Sequence, residues 1–484
     1  MKTAPLTLFS VMAGLLLGNL LVSLLLGLGD AEALYYTYSL HLQGAYLDHP
    51  PLIGWLIRAS TALFGHTVLG VRAVPMVMMS LGLVFTFQLT RALFGDGAAR
   101  LVPLLILATP VFSIGLTAAT PDAPLFAIWP LYLWQLYVAI ERRSDGRGAR
   151  FWRPLFLGGL LGLAFLAKYT GVLLLFPTLV LLLRKPNRVW LRRPGFWAGA
   201  LAAAAIATPV FLWNIDHGWA GAFHRLEWTQ GGAGFSIRNA GALVGGQLLY
   251  IGPVMLLLFY RTVRRALDAP VDTAHTLILS AALPVLALTY LLALWSDVAE
   301  PHWPAPGYLA LYPAAAALVH LGSGGALRLF RIALSLGIAV YIIMLLLVVT
   351  PALPVLSPEE SYQPKYDLAN ELRGWPEVAE AIRAVDRDRR PVVAAFYTQC
   401  AQLTFALNRP EDPPVRCISK ERDDFDIWYE PFELPEKGAL FVTDNRFDHD
   451  VEALLPGVEV GATISVDIRR ADVPVRRFRI TECH

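Results

Sequence analysis

Apolar stretches long enough to cross a bilayer recur through the first 350 residues. They fall near 6–28, 68–90, 101–116, 123–140, 155–167, 171–183, 196–213, 241–260, 275–295, 305–321 and 331–350. A spanning helix needs about 20 apolar residues, so the pattern predicts about eleven transmembrane helices, with the fifth and sixth short. The first run exceeds the roughly 7–15 residues of a signal h-region and reads as a retained helix, although Ala31-Glu32-Ala33 resembles a cleavage site. From about Ser357 the pattern changes. Charges become frequent, and short apolar runs at 392–397, 439–443, 462–468 and 475–481 read as strands, with a helical spacing over 376–385. The expected fold class is mainly α. A polytopic membrane helix bundle over 1–350 precedes a small soluble α/β domain over 357–484, large enough for its own core.

Composition agrees with a membrane chain. Hydrophobic residues make up 56% and charged residues only 16%, against about 25% charged in ordinary soluble domains. A net charge of +2 is too balanced to argue for a nucleic-acid or polyanion partner. The placement of charge says more than its sum. Arginine clusters near 91–100, 142–153, 184–193, 261–265 and 328–331 occupy alternate connections. The positive-inside rule then puts the N-terminus in the cytoplasm and the C-terminal domain on the far side. Three cysteines, Cys400, Cys417 and Cys483, lie in the last quarter. The odd count favours unpaired thiols, with a Cys400–Cys417 disulfide as the alternative if that quarter is exported.

Charges near membrane helices cost roughly 2.5–3.5 kcal/mol each at the bilayer centre, so those present call for a reason. On this topology Asp30, Glu32, Asp48, His49, Asp122, Lys168, Asp297, Glu300 and His302 all gather at the outer face. They come from separate connections, which suggests one site assembled from several loops. The outer loop 29–67 is the richest. Asp30 and Glu32 open it, either as the solvated end of a helix or as a catalytic carboxylate or metal ligand. Asp48-His49 is stiffened by Pro50-Pro51, and the stretch 52–64 is expected to lie along the membrane surface. Asp122 stands where a helix start favours an acid through its dipole. Lys168 is isolated from the inner-side clusters, placed either to snorkel or to hold an anionic headgroup. Tyr35, Tyr36, Tyr38 and Trp303 read first as interface anchors. The polar stretch 213–219 reads as an ordinary loop.

Several of these runs carry a family resemblance. Asp30–Glu32, Tyr35-Tyr36 and Tyr46-Leu47-Asp48-His49-Pro50-Pro51-Leu52 resemble the first outer loop of GT-C-fold glycosyltransferases. The resemblance is narrower to the bacterial branch of family 39, with the protein O-mannosyltransferases and the lipid A aminoarabinose transferases. Thr120-Pro121-Asp122-Ala123-Pro124, Ala167-Lys168-Tyr169-Thr170-Gly171, Pro209-Val210-Phe211-Leu212-Trp213-Asn214 and Trp303-Pro304-Ala305-Pro306 fit later segments in the same order. The resemblance implies an enzyme of the bacterial inner membrane. It would move a sugar from a polyprenyl-phosphate donor to an extracytoplasmic hydroxyl or phosphate, with inversion. The acceptor would be a glycolipid such as lipid A or core, another glycan, or a protein. In these terms Asp30 is the base, with Glu32 as substitute, and Asp122 positions the acceptor or the base. Lys168 binds the carrier phosphate with His49 and with Arg58 or Arg72, and Asp48 orients His49. Tyr35 and His302 complete the substrate-binding set. No obligatory cofactor is implied; magnesium or manganese on Asp30 and Glu32 is the variant reading. Two departures stand out. The family's acidic motif is often an adjacent Asp-Glu, and the aminoarabinose transferase carries Glu-Lys where Asp48-His49 stands. The second argues against that enzyme's substrate here. Readings from other classes are a transporter or lipid flippase, and a receptor or scaffold built around the exported domain.

Overall fold

A computed structural model describes all residues except 1–3, 142–145, 231, 233, 270–271, 297, 299, 357–361, 365–366, 387–388, 409–413, 420–421 and 447–448. The main helices are α1 (Ala4–Leu25), α2 (Asp30–Leu40), α3 (Leu52–Phe64), α4 (Val68–Ala99), α5 (Asp122–Glu141), α6 (Arg147–Ala167) and α7 (Leu175–Leu183). They continue with α8 (Pro194–Asp216), α9 (Ala220–Gln230), α10 (Ile237–Tyr250), α11 (Pro253–Asp268), α12 (Thr273–Trp295), α13 (Ala305–His320) and α14 (Ala326–Val349).

Among the described residues seven helices are long and apolar enough to cross a membrane: α1, α4, α5, α6, α8, α12 and α14. Two bent pairs raise the number to nine if each is one span. They are 169–183 with 185–192, and α10 with α11, bent by 110° and 100°. The protein is a multi-pass membrane protein, and among the described residues seven to nine of the eleven expected crossings meet this measure. The run near 101–116 breaks into Val102–Leu107, Pro110–Ser113 and Gly115–Thr117, because Pro110 follows an extended Thr109. The run near 305–321 is the 16-residue α13, whose side chains are almost all buried. It is a core helix rather than a lipid-facing one.

The chain divides into two compact units. The first comprises 1–19, 43–53 and 74–341. Its core packs Phe112 on Phe126 and Tyr312, and the Tyr312 hydroxyl donates to Thr109 Oγ1 at 2.6 Å. Helices α6 and α8 touch backbone to backbone at Gly158 and Gly199: a Cβ on Gly158 would sit 1.9 Å from the Gly199 carbonyl oxygen. Small residues are what allow membrane helices to approach this closely.

The second unit comprises 20–42, 54–73 and 342–484. The outer-loop helices α2 and α3 therefore belong with the C-terminal domain rather than with the bundle over 1–350. That domain contains α15 (Trp375–Val385) and α16 (Tyr397–Leu407), with strands β1 (Val392–Ala394), β2 (Arg416–Cys417), β3 (Ala439–Asp444), β4 (Val460–Arg470) and β5 (Val473–Cys483). The sheet runs β2-β1-β3-β5-β4. β1 is parallel to β2 and β3, while β5 is antiparallel to β3 and β4. β3 is buried along its whole length, as expected of a central strand with both faces covered. Cys400 and Cys417 form a disulfide with Cα atoms 5.7 Å apart, and Cys483 is free and buried. The expectation of unpaired thiols is corrected here: α16 and β2, which carry the pair, were not foreseen as neighbours.

Candidate functional site

In the first unit the sequence breaks its own helices where charge is needed. α6 ends at Ala167, and Lys168 follows in an extended conformation, its N–H donating to the Ala164 carbonyl at 3.1 Å. A 3-10 turn over Tyr169–Leu174 then restarts the chain. Gly171 lets that turn close, since a Cβ there would sit 2.2 Å from the Ala164 oxygen. The break is why two short apolar runs flank Lys168. It aims the Lys168 ammonium at Asp122, the first residue of α5, donating to Oδ1 at 2.8 Å and Oδ2 at 3.0 Å. Only 10% of the Lys168 side chain and 19% of the Asp122 side chain is exposed.

Other side chains join them. His302 Nε2 lies 3.8 Å from Asp122 Oδ2, and His302 Nδ1 lies 3.9 Å from Glu300. Asp48 faces His224 Nε2 at 3.4 Å and Arg225 Nη1 at 3.8 Å, while Arg225 Nε donates to the Asp48 carbonyl at 3.0 Å. Burial would raise the Asp48 carboxyl, but the His224 hydrogen bond and the neighbouring His49 and Arg225 override it and hold it down to about 2. His49 is pushed down to about 3 by burial and by Arg225, against the opposing pull of Asp48. Burial and the Lys168 charge push His302 down to about 4. Both imidazoles are thus neutral near pH 7.

Six expected residues therefore come together: Asp48, His49, Asp122, Lys168, Glu300 and His302. Two more, His224 and Arg225 on α9, escaped the sequence reading. The signal was present, because Arg225 lies outside the inner-side arginine clusters just as Lys168 does. Asp48 turns to His224 and Arg225 as well as acting on His49. Asp297 lies outside the described residues.

The other five belong to the second unit. Glu32 is buried and accepts from Arg72 Nε at 2.9 Å and Nη2 at 2.7 Å; it also accepts from the Gly29 N–H at 2.9 Å, closing the first turn of α2. Arg72 spends its remaining donors on the carbonyls of Val22, Leu26 and Gly27 at the end of α1. That arginine is committed to a helix end and a carboxylate, not left open to a phosphate. Asp30 accepts from Gln402 and Arg446 of the C-terminal domain, at 3.0 and 2.9 Å. Tyr35 is buried edge-on against Tyr38, and Arg58 is exposed. Asp30 and Glu32 turn to different cations. Among the described residues no group of three or more His, Cys, Asp or Glu side chains is arranged to hold a metal ion.

Two apolar clefts run along the first unit's helices. One, of about 670 Å³, is lined by residues of α5, α6, α7 and α8, among them Leu157, Leu161, Leu175 and Phe196. The second shares Leu161 and Leu175 with it and reaches Phe165 and Val172, which flank Lys168 in sequence.

Residues 48–213 match the family model of dolichyl-phosphate-mannose-protein mannosyltransferases. The chain is 26% identical over 286 residues to a lipid A galacturonosyltransferase (RgtD) of Rhizobium johnstonii, covering 58% of either chain. It is 32% identical over 190 residues to an undecaprenyl phosphate-α-4-amino-4-deoxy-L-arabinose arabinosyl transferase of Pseudomonas aeruginosa, spanning 39% of this chain and 33% of that one. The chain thus spans a little over half of the first relative and a third of the second. Among solved structures, ArnT of Cupriavidus metallidurans bound to undecaprenyl phosphate superposes with a TM-score of 0.69 at 15% identity, covering 99% of this chain and 98% of that one. The chain has the ArnT-like GT-C fold.

Proposed function

We propose that the protein is an inverting membrane glycosyltransferase that takes a sugar from a polyprenyl-phosphate donor and passes it to a glycolipid acceptor outside the cytoplasm. The observation that carries this reading is the Lys168–Asp122 pair with Arg225 beside Asp48. Lys168, nearly buried, and Arg225, half-buried, each beside a carboxylate, are suited to the phosphate that leaves as the anomeric bond to the acceptor forms. Preorganised charge of this kind stabilises a developing anion without reorganising at the moment of reaction. His49 and His302, neutral near pH 7, serve as hydrogen-bond donors rather than as further charge. The apolar clefts that meet at Leu161 and Leu175 suit an isoprenoid tail whose headgroup lies near Lys168.

Asp30 is the base that takes the acceptor's proton. Glu32 is the weaker candidate, since both its oxygens are engaged by Arg72. No divalent ion is required, in keeping with the separate partners of Asp30 and Glu32. Loss of transfer with EDTA, restored by magnesium or manganese, would overturn that point. A glycolipid acceptor is favoured over a protein because the galacturonosyltransferase relative is named for lipid A. The arginine asymmetry and the Cys400–Cys417 disulfide support a bacterial inner-membrane protein with a cytoplasmic N-terminus and an exported C-terminal domain.

The test is transfer from labelled polyprenyl-phosphate sugars to purified envelope glycolipids in detergent. Turnover without a sealed compartment is expected of the enzyme, with severe loss in Lys168→Ala and Asp30→Asn at normal membrane insertion. Activity confined to sealed vesicles would favour a transporter, and unaffected variants would remove these roles.

A further inference from the structure

The carboxylate of Asp30 is held from far along the chain. Its Oδ1 accepts from Gln402 Nε2 at 3.0 Å and its Oδ2 from Arg446 Nη2 at 2.9 Å, two residues that stand 372 and 416 positions later. Neither holder is free to drift. Gln402 Nε2 also donates to the Leu28 carbonyl at 2.9 Å, and it lies on α16 two residues after the disulfide-bonded Cys400. Arg446 is backed by the fully buried Asp444, which accepts from the Arg446 N–H at 3.2 Å, from Gln399 at 2.9 Å and from Arg476 Nε at 2.7 Å. Asp30 keeps 14% of its side chain exposed while Arg446 keeps 3%.

We infer that Gln402 and Arg446 are positioning residues for the catalytic carboxylate, so that the C-terminal domain is part of the transferase machinery rather than an appendage. The inference rests on the reading of Asp30 as the base. A carboxylate offers about four lone-pair sites; two donors, one on each oxygen, fix its plane and rotamer and leave sites open to an acceptor hydroxyl. The neighbouring acid shows the contrast. Glu32 has its oxygens filled by Arg72 and by its own helix cap and is buried. The two acids of the motif thereby divide the work, Glu32 fixing the end of α1 and the start of α2, Asp30 presented by a scaffold of buried side chains. A base aimed in this way needs its supporting shell, since misplacement by about 1 Å costs on the order of 100-fold in rate.

The experiment uses the full chain in detergent with labelled polyprenyl-phosphate sugar, comparing Asp30→Asn, Gln402→Leu, Arg446→Gln and Arg446→Lys. Gln402→Leu is expected to lower kcat by about 10- to 100-fold with the donor KM unchanged. Arg446→Gln is expected to lower kcat as well, again with the donor KM unchanged. Arg446→Lys, which keeps a cation in that place, should recover most of the lost turnover. Gln402→Leu breaks no ion pair, so it decides the matter even if Arg446→Gln fails to fold. Unchanged kcat in folded Gln402→Leu, with Asp30→Asn inactive, overturns the positioning role and leaves the base assignment standing. Normal turnover by Asp30→Asn overturns the base assignment and the inference with it.

Discussion

At the scale of single residues, the Lys168 ammonium, 10% exposed beside a carboxylate 19% exposed, sets the energetics of its surroundings. Removing one partner of a buried pair leaves the other charge without compensation, at a cost of about 3–5 kcal/mol. Lys168→Ala should therefore lower thermal stability as well as turnover. Lys168→Met with Asp122→Leu should recover most of the stability and none of the activity. A double variant that regained turnover would remove the pair from the mechanism. The imidazoles give a second prediction. His49 and His302 titrate near 3 and 4 in the folded protein but near 6.5 when unfolded. Between those values the unfolded chain binds more protons, so their contribution to stability is complete above about pH 6.5 and is lost as pH falls. Asp423, pushed up to about 6 by burial, acts in the opposite sense: its contribution fades as pH rises from about 3.8 through 6. Melting followed in detergent from pH 7.5 to 4.5 should show a declining midpoint, flattened by His49→Gln. A midpoint that rose on acidification would contradict the neutral imidazoles. Which residues would meet was legible only where chemistry was rare. Lys168 and Asp122 stood out because charge is scarce among apolar runs. Arg225 was hidden in a polar stretch where an arginine needs no excuse. No spacing rule links Asp30 to Arg446 across 416 positions, so that contact waited for coordinates.

Among the elements, the long apolar helices followed directly from the hydropathy pattern, because period matters little when a helix is apolar all round. The breaks were harder to read. The bend of 110° between 169–183 and 185–192 left no mark in the hydropathy, and Pro110 fragments another stretch that read as one helix. In the C-terminal domain β3 was legible as an apolar run, whereas β2 has only two residues and α16 begins where a strand was expected to continue. β4 and β5 proved longer than their apolar centres, joined by Ala471 and Asp472 at φ 47° and 65°. Two central residues at positive φ are what a two-residue hairpin of the right twist requires, and Asn-Gly is the pair best suited to it. A side chain there costs about 1–2 kcal/mol relative to ordinary conformations. Ala471→Asn with Asp472→Gly should therefore stabilise the hairpin by about 1 kcal/mol. The gain would appear as slower amide exchange in β4 and β5 and unchanged transfer activity. Faster exchange would mean that the loop has another conformation.

For the whole molecule, two independent observations bear on which way the chain lies in the membrane. The arginine clusters on alternate connections are a property of the sequence alone, and orientation follows them because cytoplasmic connections retain Lys and Arg. The disulfide is a property of the folded C-terminal domain. It persists in an oxidising compartment and is reduced in the cytosol. Both agree with the proposed orientation, in which that domain lies outside, yet they can fail separately, which makes thiol counting a decisive measurement. The chain has three cysteines, of which Cys483 is buried and free. Protein taken from cells under acid quench, denatured and treated with a maleimide mass tag should carry one tag, and three after reduction. The native protein should carry none, since Cys483 is closed off from the reagent and the other two are bonded. A C-terminal domain held in the cytosol would instead take three tags on denaturation without any reductant. Cys400→Ser with Cys417→Ser then tests the energetic side. Closing a loop of 17 positions contributes about 3 kcal/mol, so the double variant should unfold its C-terminal domain at a lower temperature. Because α16 carries Gln402, it should also lose turnover before it loses membrane insertion. Full activity in the reduced wild-type protein would show that the sheet and the buried arginines hold α16 without the disulfide.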